Sequence, residues 1–188
     1  MNEENNMVQT LRMIDTESEK DGWDQPAILY AMQAHQMGSS TALMEIQTCP
    51  GWFQTMELTD NIQETLQLMI SVMSTVPKSI RRNSFKTGVF YGLLLRTETW
   101  MLHLDRKEHT KAQIATAQRS SKEHTISEHP DRIESRFLCL VTINGEITAL
   151  NHDRDGEVEI YEPGGKDDQK LTGNIPKLMN RLIKEIQR

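Results

Sequence analysis

The sequence predicts an α+β fold: a single mixed or antiparallel sheet with a C-terminal three-strand meander, packed against two to three helices. Three observations carry this. Between Thr59 and Val76 the apolar residues Ile62, Leu66, Met69, Ile70 and Met73 recur at steps of three and four, the period of a helix with one buried stripe. From Arg136 to Tyr161 apolar runs are cut by Asn144-Gly145 and Asp155-Gly156, the turn pairs of tight hairpins. Helical spacing returns from Ile175 to Ile186, so helices and strands come in separate blocks.

Residues 5–20 place Met7, Val8, Leu11 and Ile14 at helical spacing, ending before Asp21-Gly22. Pro26 forces Gln25 into an extended conformation, so Trp23-Asp24-Gln25-Pro26 forms a corner. Strands follow over 28–33 and 42–47, joined by a loop at 37–41, and Cys49-Pro50-Gly51 turns the chain. Thr59 or Asp60 caps the helix that Pro77 stops. Residues 87–95 read as a strand, and 97–104 either continue it or bend into another. The polar insert 106–129 lacks an apolar stripe; it reads as an exposed helix around 111–119 or as a mobile loop. Strands 136–143, 146–151 and 158–161 form the meander, a loop spans 163–173, and the terminal helix closes the chain. With 188 residues, no repeats and no low-complexity tract, one domain over 1–188 is expected, large enough to bury a core without disulfides.

A net charge of −6 argues against direct nucleic-acid binding, which needs a basic face. The charge is segregated: residues 1–25 sum to −5 and 146–168 to −6, whereas 78–136 sum to +5 and the tail from 169 to +4. Solvated faces explain such patches most simply, although an acidic patch can also mimic a phosphate backbone. Eleven methionines suit core gaps first and an adaptable partner surface second. Cys49 and Cys139 show no pairing pattern, the Asn- and Glu-rich start reads as no signal peptide, and Val89–Leu95 is too short to span a bilayer. A cytoplasmic, acidic protein without a membrane partner is expected.

The opening Gly22-Trp23-Asp24-Gln25-Pro26 resembles that of a group of small actinobacterial and actinophage proteins. Gly92 through Glu98, Thr99 and Trp100 resembles the same family's apolar strand with its acidic-plus-Trp ending. His129-Pro130-Asp131-Arg132, followed by Glu134 and Arg136, resembles the segment that leads into its long hairpin, and Asn144-Gly145 sits where it has a glycine turn. The likeness covers about two-thirds of the chain, by spacing more than identity. It departs in the second half of the N-terminal region and in the 106–128 insert. It implies a fold and a phage or actinobacterial origin; the family has no established activity, so no catalytic residue is carried over.

Candidate ligand residues are Trp23, Asp24, Gln25, Glu98, Trp100 and His129. A carboxylate beside an indole has the raised pKa that an acid catalyst needs, and Glu98 and Trp100 share one strand face, with His103 and Asp105 further along. The competing reading packs Trp100 in the core and pairs Glu98 at its edge. Trp23 is expected to be buried, stapling helix to sheet, with Asp24 capping nearby amides. A small hydrolase or ligand-binding domain would require the corner and the Glu98–Trp100 strand to meet at an open cleft.

For metal, Asn151, Asp153, Asp155 and Glu162 fall at calcium-loop positions 1, 3, 5 and 12, with Gly156 at 6 and Val158 at 8. Asn at the first position and strand-like flanks argue against calcium, and a plain turn through Arg154-Asp155-Gly156-Glu157 accounts for the same residues. His103, His109, His124 and His129 gather near the insert without a zinc motif, Gly164-Gly165-Lys166 lacks P-loop spacing, and His129-Pro130-Asp131 has no serine or cysteine elbow beside it. No motif therefore implies a cofactor. The expected function is non-enzymatic: binding of another protein, or of a second copy, in a regulatory role.

Overall fold

The computed structural model describes residues 3–37, 40–46, 62–78, 89–101, 126–162 and 174–188, and positions 112, 113, 115, 116 and 119. Helix α1 (Glu3–Asp21) leads into β1 (Ile28–Met37) and β2 (Ser40–Ile46), followed by α2 (Ile62–Thr75), β3 (Val89–Met101), a 3-10 turn (Ile126–Glu128), β4 (Ile133–Thr142), β5 (Ile147–Asp153), β6 (Val158–Tyr161) and α3 (Asn174–Gln187). The fold is α+β. The six strands among the described residues join one sheet in the order β2-β1-β3-β4-β5-β6, and every neighbouring pair is antiparallel.

Both faces of this sheet are covered. One receives Met7, Leu11 and Ile14 of α1 over Met32, Leu94, Leu138, Leu140 and Leu150. The other receives Leu66, Met69, Ile70 and Met73 of α2 and Met179, Leu182, Ile183 and Ile186 of α3, over Leu29, Leu93, Leu95, Cys139 and Val141. Burial on both faces is why β4 reads as an unbroken apolar run over 137–141 instead of alternating. Each leucine so buried contributes about 1.5–3 kcal/mol. The methionines follow: Met7, Met32, Met69, Met73 and Met179 are core, and Met13 is exposed.

β3 runs as one strand from Val89 to Met101, resolving the alternative at Arg96. Its pairing with β1 shifts between Met32 and Gln33, since Gly92 faces Met32 and Phe90 faces Gln33, leaving Tyr91 as the extra residue. At the same point β3 closes onto β4, where a Cβ on Gly92 would lie 2.3 Å from the Val141 carbonyl oxygen. Only glycine fits there. The β1 strand extends four residues past its expected end. Of the described residues of the polar insert, 112, 113, 115, 116 and 119 have α-helical backbone and 126–128 form the 3-10 turn. Thr59, Asp60 and the Cys49-Pro50-Gly51 turn lie outside the described residues.

The two outer helix faces differ. On α2 the exposed Leu68 and Val72 stand among uncharged residues from Thr65 to Pro77. On α3 the exposed Lys177, Arg181, Lys184 and Arg188 follow one another at four, three and four residues, a single basic stripe. Among the described residues no helix is long and apolar enough to cross a membrane.

Candidate functional site

Six elements meet at one end of the sheet. The α1 helix stops there, β1 begins, β3 ends, β4 begins and β5 turns into β6. Gly22 ends the helix with φ of 82° and its N–H donates to the Glu19 carbonyl at 3.2 Å. This is the left-handed glycine termination of a helix. Asp24 also holds a positive φ, 65°, which is unusual without glycine and folds the corner back over the strands.

Arg136 is the centre of the arrangement. Its side chain has no solvent exposure, and it is surrounded by acceptors from three elements. Nη2 donates to the Gly22 carbonyl at 2.9 Å, Nη1 to Asp15 Oδ1 at 3.4 Å, and Nε and Nη2 to Glu98 Oε1 at 3.4 Å. The other oxygen of Glu98 accepts the Gln25 backbone N–H at 2.9 Å. The second oxygen of Asp15 lies 2.8 Å from His152 Nδ1, and the opposite nitrogen of that ring is 3.5 Å from Glu19. Arg96, also buried, donates to the Ser18 hydroxyl at 3.1 Å. The buried Arg136 thus meets two largely buried carboxylates, Asp15 and Glu98, so its charge is not left unpaired.

Trp23 closes the cluster from above. Arg136 stacks 4.7 Å from its ring centroid and Arg154 5.5 Å, while His152 meets it edge-on at 6.2 Å. The indole is half-buried between guanidiniums, and this corrects the expectation of a plain apolar staple. Asp24 is corrected too: it is exposed, and its carboxylate faces Arg154 at 3.8 Å instead of capping backbone amides. Arg154 also bonds the Glu134 carboxylate, which holds its guanidinium more firmly charged.

The predicted ligand residues therefore divide. Trp23, Gln25 and Glu98 converge, but on an interior clamp: the Glu98 side chain is 8 % exposed, with both oxygens engaged. Trp100 lies one row further along the same face, in register with Glu134, and is 39 % exposed. Arg132 stacks over it at 4.9 Å. His129 is one step removed: its carbonyl accepts from Arg132, and its Nδ1 accepts the Asp131 N–H at 3.2 Å.

The calcium-loop residues lie in a hairpin. Asn151 and Asp153 share one face of β5, both buried; the Asn151 amide donates to Asp153 Oδ1 at 2.9 Å, and Ser135 donates to the same oxygen at 2.6 Å. Asp155 sits in the exposed turn that Gly156 closes with φ of 98°, and Glu162 follows the end of β6. Among the described residues no group of three or more His, Cys, Asp or Glu is placed to hold a metal ion. On the same face burial pushes the Cys139 thiol up to about 12, which keeps it protonated at neutral pH. Burial and the bond to Glu159 push the Tyr161 hydroxyl up as well.

Sequence reasoning passed over Asp15, Arg136, His152 and Arg154. A signal existed for two of them. Asp15 occupies the helix stripe that Leu11 and Ile14 define, and Arg136 directly precedes the apolar run 137–141 of β4; both are charged residues at core positions. No protein-family model, curated protein or solved structure matches the chain.

Proposed function

We propose that this protein acts by binding another protein, with no catalytic step of its own, through the end of the sheet that carries Trp100. One observation supports this reading above the others. The polar side chains that a reaction would need at the corner are spent on holding α1 to the sheet. The large aromatic beside them is left 39 % exposed in a rigid strand. Exposed, well-supported tryptophans with neighbouring arginines are the residue types on which protein interfaces concentrate their energy. A regulatory role in the cytoplasm, and a phage or actinobacterial origin, go with this reading as part of the proposal.

The test is affinity capture from a host lysate with the wild type and with Trp100→Ala. The variant is expected to fold with unchanged circular dichroism, because the side chain is outside the core. A partner retained by the wild type should fall at least about tenfold in the variant, the scale of an interface hot spot. Equal recovery of the same species by both proteins would overturn the proposal.

A further inference from the structure

Resting on that reading, we infer that the partner surface is the basic stripe of α3 on a second copy of this chain, which docks on the acidic end around Trp100. The acidic end is assembled by the fold from segments far apart in sequence. Residues 17–24, 128–134 and 154–157 surround the Trp100 strand end and hold nine acidic against three basic side chains. The three cations are committed: Lys20 to Glu17 at 2.6 Å, Arg132 to the Trp100 ring, and Arg154 to Glu134 and Asp24. Asp21, Glu128, Asp155 and Glu157 are exposed and meet no cation among the described residues.

The same chain carries the complement. Lys177, Arg181, Lys184 and Arg188 lie along one exposed side of α3, and their one ion pair among the described residues is Arg188 with Glu185 at 3.5 Å. Eleven residues of helix give this stripe a length of about 16 Å. The acidic end, from β3 across to β6, is about 14 Å wide. Four cations thus face a strip of matching length and opposite sign. The exposed part of the Trp100 indole offers a guanidinium of α3 the contact that Arg132 already makes from within the chain. Acidic end and basic stripe are different surfaces, so the contact is head-to-tail: it leaves each copy with one free surface of either sign and builds rings or open chains.

Light scattering over a concentration series tests this. At low ionic strength the wild type is expected to rise above the monomer mass of 21.7 kDa with concentration, and to return to it at about 1 M salt, where charges are screened beyond about 3 Å. Arg181→Glu/Lys184→Glu and, separately, Glu128→Lys/Glu157→Lys should each raise the concentration for half-association more than about tenfold. Mixing the two variants should restore association, since each retains the surface the other has lost or now matches it in reversed sign. Three results would overturn the inference: a wild type that stays monomeric at low salt, association unchanged in both variants, or association abolished by Leu68→Lys on α2 instead. Binding of the α3 stripe to an oligonucleotide without self-association would overturn it as well. If the chain is monomeric while Trp100→Ala still loses a captured partner, the binding function stands and the second copy is excluded.

Discussion

Replacing Arg136 by methionine removes the centre of the clamp while keeping most of its apolar stem volume. The guanidinium loses its bond to the Gly22 carbonyl, its contacts with Asp15 and Glu98, and its stack on Trp23. Asp15 and Glu98 are then left without the guanidinium that bridges them. Removing one member of a buried ion pair costs about 3–5 kcal/mol, and the lost stack adds about 0.5–2 kcal/mol, part of which the methionine recovers by packing. The expected loss is therefore about 4 kcal/mol, a large share of the 5–15 kcal/mol of a typical domain. Urea denaturation followed by circular dichroism reads it: with a slope of about 2 kcal/mol per molar, the midpoint falls by about 2 M. Asp15→Asn/Arg136→Met separates charge imbalance from lost contact, because it also removes one of the two carboxylates left without their guanidinium. It should regain at least about 1.5 kcal/mol over the single variant. A loss under about 1 kcal/mol in the single variant, or no recovery in the double, would refute the clamp.

Gly92→Ala drives a Cβ to 2.3 Å from the Val141 carbonyl, a backbone atom that cannot swing away, and should cost about 1–3 kcal/mol in the same denaturation. Leu11→Ala empties the wholly buried anchor of α1 and should cost about 2–5 kcal/mol, with amide exchange rising first in α1. Cys139 predicts an alkaline limit: its thiol is raised from 9.0 to about 12 in the fold, so its contribution is intact below pH 9.0 and is lost as pH rises toward 12. Between pH 9.0 and about 10.5 this costs about 2 kcal/mol. Cys139→Ala should flatten the slope over that interval; an unchanged slope would show that the thiol does not set it.

Local patterns carried most of the architecture. The α2 stripe, the Asn144-Gly145 and Asp155-Gly156 turns and the α3 periodicity each name their own element, because the residues that decide them are neighbours in the chain. The clamp is different. Gln25 meets Glu98 across 73 residues, and Gly22 meets Arg136 across 114. That meeting depends on β1 pairing with β3 past an intervening hairpin partner and helix, a pairing no local period encodes. Trp23 was expected to be largely buried for the same reason: an indole suggests burial in apolar surroundings, whereas its actual neighbours, Arg136, His152 and Arg154, come from β4, β5 and the turn after β5.

The length of those separations also sets a schedule. Asp15 waits for Arg136, made 121 residues later, and for His152, made 137 residues later. At a synthesis rate of about 5–20 residues per second, that delay is on the order of 6–30 s. During it α1 has only its apolar contacts with Met32 and Leu94, and a helix this polar does not hold itself together alone in water. A chain cut short before β5 lacks both the His152 partner of Asp15 and the Leu150 contact of α1.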